Sequence, residues 1–228
     1  MPRPAQPDFL IIGAPYAGTA ALLEALSQHP QVFTSAPIED PAWTWSGHEA
    51  FTGTEAGQVR GGSAPFTLWN HAAHRDIAAT LPEVKLISIV RDPVDRAFSN
   101  WSALRASGEE HEADFLRALD LEDEREAKFR YRELGQYADQ LSHLYEHVDP
   151  KRTMILRYVD LVEEPEIAVD RICDFLGVDT GLIGSYPADT NPGGSPSAEQ
   201  RAAVLPLFAE GVEKLRRVTG QDFGDWLV

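Results

Sequence analysis

Apolar residues concentrate in three short unbroken runs, with longer amphipathic stretches between them. The runs are residues 8–13 (DFLIIG), 85–90 (KLISIV) and 153–158 (TMILRY). Each has strand length, and none shows the alternation of a strand with one wet face. Such runs mark strands covered on both sides, as in a parallel sheet. The intervening stretches have helical spacing. Leu22, Leu23 and Leu26 share one face of a helix expected over 18–28. Leu141, Leu144 and Val148 do the same for a helix over 135–147. Further helices are expected over 74–82, over 165–178 with a glycine stop at Gly177, and over 197–218. Asp92 and Pro93 can start a helix directly after the second run, with proline in its first turn. "HPQVF" predicts a turn and a short strand after the first helix.

Alternating strands and helices predict an α/β fold, a single-domain parallel sheet with helices on both faces. One domain is expected to cover residues 1–228. Two segments lack clear periodicity. Residues 35–70 are rich in Gly, Pro, Ser, Thr and Trp, and are expected to form irregular, substrate-facing loops. Residues 109–130 are crowded with charge and are expected to form a solvated helical face.

Charge narrows the function. The formal net charge is −16, which argues against a general nucleic-acid binder. Any anion site must therefore be built locally, against the overall field. No run of 18 apolar residues occurs, so no membrane span is expected. The first residues lack the pattern of a secretory leader, and Cys173 has no partner for an internal disulfide. A cytoplasmic protein acting on a small molecule is the expectation.

The first run ends in a glycine turn, "GAPYAGTA". Gly13 and Gly18 have the spacing of a phosphate-binding loop, but the Lys-Ser/Thr that should follow is Thr19-Ala20. Lysine neutralises terminal phosphates and the hydroxyl beside it holds magnesium, so a kinase or ATPase is not expected. Backbone N–H groups at Gly18, Thr19 and Ala20 can still hold an anion at the helix start. A tight strand-to-helix turn with no ligand accounts for the same spacing.

The second run leads into "RDPVDRAFSNW", residues 91–101. Together with "LIIGAPYAGTAALLEALSQHP", this resembles the sulfotransferases that use 3′-phosphoadenosine 5′-phosphosulfate (PAPS), most of all the bacterial and heparan-type branch. The resemblance continues through "QYADQLSHLYEHVDPKRTMILRYVDLVEEP", "ICDFLGV" and "LFAEGVEKLRRVTGQDFGDWL". It implies a P-loop-like sulfotransferase fold, PAPS as donor and its desulfonated form, PAP, as product. It also implies that Arg91 and Ser99 bind the nucleotide 3′-phosphate, and that Gly18 and Thr19 cradle the 5′ side.

On that 5′ side the chain departs from the pattern. The resemblance implies Lys or Arg after Pro15, and the residue is Tyr16. The second of two threonines is Ala20. A Lys-Glu pair corresponds to Ile38 and Glu39. A later Gly-Glu-x-Ser-Pro-x-Tyr motif, whose glutamate the resemblance makes a base, corresponds to "GGSAPFT", with Gly62 at the glutamate, Ala64 at the serine and Thr67 at the tyrosine. Substitute acid–base groups are Glu39 and His48, with Tyr16 beside them; Asp40, His71 and His74 lie in or near the same segment. Trp43, Trp45, Phe51, Phe66 and Trp69 can line an aromatic pocket.

Three readings stay open. One is sulfuryl transfer from PAPS to a hydroxylated or aromatic small molecule in specialised metabolism. The second is a vestigial donor site serving another reaction, such as dehydration or cyclisation, with no cofactor. The third is a non-catalytic binding protein. His71/His74 and His143/His147 each have the spacing of paired metal ligands, but neither pair has an evident third ligand. No metal is expected.

Overall fold

The computed structural model describes residues 6–43, 54–187 and 194–228. Five parallel strands form one sheet in the order β2-β3-β1-β4-β5. They are β1 (Phe9–Gly13), β2 (Val32–Thr34), β3 (Val59–Ser63), β4 (Lys85–Val90) and β5 (Thr153–Arg157). Every residue of β1 is buried, as are all but the first of β4. Helices cover both faces of the sheet, and the three apolar runs are neighbours in it, as expected. Among the described residues, no helix is long and apolar enough to cross a membrane.

The helices follow the sequence pattern closely at first. They are α1 (Thr19–Ser27), α2 (His71–Thr80) and α3 (Pro93–Ala106). The Asp92 side chain accepts from the N–H groups of Val94 and Asp95, capping α3. Asn70 does the same for α2 through Ala72 and Ala73. Then come α4 (Phe115–Asp120), α5 (Tyr137–Tyr145), α6 (Tyr158–Glu163) and α7 (Pro165–Leu176). The last expected helix is two, α8 (Ala198–Val204) and α9 (Ala209–Thr219), separated by a 3-10 turn that contains Pro206.

Two expectations need correction. Residues 35–70 are not irregular throughout: β3 runs through them and pairs with both β1 and β2. Its sequence, VRGGS, hides the strand because it carries two glycines. The reason is space. A Cβ at Gly61 would lie 2.2 Å from the buried Phe9 ring, and one at Gly62 would lie 2.5 Å from Ser35 Oγ.

Residues 109–130 are likewise not a solvated helical face. Only α4 and short 3-10 turns form there, and two of the carboxylates are buried. Glu110 binds Arg125 at 2.7 Å and accepts from the Tyr131 hydroxyl at 2.5 Å. Glu122 binds Arg132 at 3.0 Å. The segment lies against α3: Asn100 donates to the Lys128 carbonyl, and fully buried Arg96 donates to the Tyr131 carbonyl. Glu110 and Glu122 thus turn inward into ion pairs, while Glu109, Asp114, Asp120, Asp123 and Glu126 stay exposed.

Candidate functional site

β1 has β3 on one side and β4 on the other, while the chain reaches β3 by way of β2. Ligands of open α/β sheets bind beyond the carboxyl ends of the strands at such a switch of direction. A cavity of about 260 Å³ opens there. It is lined by Tyr16, Gly18 and Thr19 after β1, Glu39 after β2, Phe66 after β3, and Ser99 on α3.

The loop after β1 is shaped by its glycines. Gly13 has φ +143°, and a Cβ there would lie 2.6 Å from the Pro65 carbonyl oxygen. Gly18 has φ +88° and brings the chain against the Tyr158 ring. No side chain caps α1, so the N–H groups of its first turn are left for a ligand at the cavity. Thr19 and Ser99 are both buried residues of its wall.

Tyr16 also has a positive φ, 62°. Its phenol pKa is pushed up to about 12, chiefly by burial, with Glu109 and Glu39 adding to the rise and Arg96 opposing it. The ring therefore keeps its proton at neutral pH. Glu39 is placed by the chain after β2, which continues beside β3 through Ser35 N–H to Gly61 and Ile38 N–H to Ser63, at 2.9 and 2.7 Å. Glu39 retains exposed surface, yet burial still raises its pKa above the ordinary carboxyl value. A raised carboxyl beside a neutral phenol gives the cavity a proton acceptor and a proton donor.

Arg91 is not in this wall. It lines a neighbouring cavity of about 340 Å³ with Asp92, Asp95, Tyr158, Glu163 and Arg201. Its guanidinium lies 4.4 Å from the Tyr158 ring centroid and donates to the Tyr16 carbonyl at 3.2 Å. It thus grips the glycine loop from behind. Asp92 does not pair with it: that carboxylate takes Arg201 at 2.6 Å.

Of the expected site residues, the structure brings together Tyr16, Gly18, Thr19, Glu39 and Ser99. His48, Trp45 and Phe51 lie outside the described residues. Among the described residues, the expected aromatic pocket contributes Phe66 to this wall; Trp43 packs on the core, and Trp69 lines a different depression with His71. His74 is fully buried in α2, and Thr67 is buried and not part of the cavity wall. Tyr158, which packs against Gly18 and Arg91, was not among the expected site residues. Its signal was its place at the end of the third apolar run, on the ligand-binding edge of the sheet.

The protein-family model described as the sulfotransferase domain matches residues 6–187. The chain belongs to the sulfotransferase domain family. Human heparan sulfate glucosamine 3-O-sulfotransferase 6 is 30% identical over 191 residues, which is 75% of this chain and 52% of that protein. The chain spans about half the length of the curated relatives it matches first. A sulfotransferase from Alicyclobacillus acidocaldarius superposes with a TM-score of 0.85 at 23% identity, covering 97% of this chain and 99% of the other. A mouse sulfotransferase solved with PAP gives 0.56 at 19% identity, covering 90% and 84%. These two likenesses show the fold that the sequence resemblance implied.

Proposed function

We propose that the protein transfers a sulfuryl group from PAPS to a hydroxyl of a small molecule, with Glu39 as the general base. The observation that carries this reading is the single cavity holding Glu39, the uncapped start of α1 and Ser99. The donor set suits the sulfated end of a nucleotide: backbone N–H groups and a buried hydroxyl answer its negative charge. When bound, PAPS supplies the sulfuryl group and leaves as PAP.

This chain's residues then have defined tasks. Glu39 takes the proton of the acceptor hydroxyl as that oxygen bonds to sulfur and the bond from sulfur to the phosphate oxygen breaks. Tyr16, protonated at neutral pH, donates toward the charge that develops on the 5′ side, where the resemblance implied a cation. Arg91 holds the Tyr16 carbonyl and so fixes the loop. Phe66 and Pro65 give the cavity an apolar wall suited to an aromatic or hydroxylated acceptor, such as one of specialised metabolism. We also propose a reducing, cytoplasmic setting, on the support that the lone, buried Cys173 has no partner for an internal disulfide.

One observation favours a second reading. Among the described residues, no lysine or arginine lines the cavity. A donor site that no longer supports transfer would look similar. The test is PAP formation from PAPS against a panel of phenols, alcohols and sugars, followed by mass spectrometry of the acceptor. The proposal expects a sulfated acceptor and PAP in equal amounts, with most of the rate lost in Glu39→Gln. Conversion of an acceptor with PAPS omitted, or a rate untouched by Glu39→Gln, would overturn it.

A further inference from the structure

The two histidine pairs, far apart in sequence, meet on the side of the molecule formed by α2 and α5. His74 is fully buried, and its Nε2 lies 3.0 Å from the Leu68 carbonyl oxygen. A carbonyl only accepts, so Nε2 carries the proton and Nδ1 of the neutral ring holds a lone pair. That Nδ1 lies 2.9 Å from Nδ1 of His143. Two ring nitrogens at this distance need a proton between them, and it must belong to His143. The Nε2 of His143 is then left with its lone pair free.

His71 stacks on the His143 ring, 3.9 Å between centroids and 5° from parallel, and holds it from the side. One turn further along, Glu146 and His147 each offer a ligand atom. The three ligand atoms, one each from His143, Glu146 and His147, all lie within 4.8 Å of one another. Neither the Glu146 nor the His147 side chain makes a hydrogen bond or ion pair among the described residues. Both are exposed. They follow the last turn of α5, where the helix dipole favours a cation.

We propose that His143, Glu146 and His147 bind a divalent transition-metal ion of the zinc class, with His74 as the positioning residue that fixes the tautomer of His143. Two imidazoles and a carboxylate form a donor set that zinc takes with further positions left to water. A ligating histidine whose other nitrogen is held by a buried partner is the usual support of such a site. The burial of His74 requires a partner for its Nδ1, which His143 supplies; it does not require Glu146 and His147 to converge beside it. The chain of bonds also runs inward. His74 donates to Leu68, and the turn Pro65–Leu68 carries Phe66 into the wall of the donor cavity.

Calorimetric titration of the tag-free full chain with ZnCl2 tests the site. The expected result is saturable binding of one ion per chain in the micromolar range or tighter. His147→Ala and Glu146→Gln, both at exposed positions, should each weaken it by about tenfold or more. Cobalt(II) should bind at the same place and give the visible absorption of a low-coordinate ion, lost in His147→Ala. No saturable binding at millimolar ZnCl2 overturns the proposal. So does binding that both substitutions leave unchanged, or binding of MgCl2 with equal affinity, because magnesium does not favour imidazole ligands.

Discussion

Glu110→Gln is the sharpest test of how residues 109–132 are built. The Glu110 side chain is buried, and burial alone would raise its pKa. Hydrogen bonds from Arg125, Tyr131 and the Glu112 N–H overcome that and lower it from 4.5 to about 2. The folded state therefore binds this proton less readily than the unfolded chain. The resulting stability is fully present above the unfolded pKa and is lost as pH falls toward the folded one. The difference between the two values converts to about 3 kcal/mol at neutral pH, an upper figure because Arg125 keeps part of its surface in water. Glutamine has the same shape and cannot ionise. At neutral pH the variant should lose about 2–3 kcal/mol, or roughly 5–10 °C of melting temperature for a chain of this size. Urea unfolding of both proteins should show the gap constant from about pH 7 to 5 and shrinking by more than half near pH 3. A gap below about 0.5 kcal/mol, the size expected for an ordinary surface change, would refute the buried network. So would a gap that does not depend on pH.

Gly61→Ala should destabilise the fold by about 1–3 kcal/mol or more, since its methyl group would press into the Phe9 ring. Gly184→Ala, which meets nothing within 4 Å, is the control, and urea midpoints compare them. Glu39→Gln should cut turnover by about 10²–10⁴-fold with PAP binding nearly unchanged. Because burial raises the Glu39 pKa, the acid limb of the wild-type rate profile should lie above the ordinary carboxyl value, with activity rising through it, and should vanish in the variant. Arg201→Ala should free Asp92 and lower the melting temperature by a few degrees without changing turnover, read by scanning calorimetry and the PAP-formation assay.

The parts of the fold visible in the sequence are those whose residues carry their own signal. The apolar runs that became β1, β4 and β5 are doubly buried, so burial itself wrote the pattern. β3 carried no such pattern because Phe9 and Ser35 fill the space where its side chains would stand. The ion pairs of Glu110 and Glu122 looked like surface charge because nothing local distinguishes a carboxylate whose partner lies ten or fifteen residues away. The cavity was legible through its loops: Tyr16, Gly18, Thr19, Glu39 and Ser99 follow strand ends or a glycine turn, and the sheet brings those ends together. Arg91 was legible as a residue of the site region but not in its direction, which Tyr158 and the Tyr16 carbonyl set. The histidines resisted for the opposite reason. Each pair was visible, but their meeting depends on how α2 packs on α5.

Whether the cavity beside Tyr16 and Glu39 holds the donor nucleotide can be measured without knowledge of the acceptor, by titration calorimetry with PAP. Saturable binding of one PAP per chain is expected. Ser99→Ala and Arg91→Ala should each weaken it, by about tenfold or more for Arg91, whose loss removes a charge and frees the glycine loop. Absence of heat and of thermal stabilisation at millimolar PAP, or tight binding that both substitutions leave intact, would contradict that placement of the nucleotide.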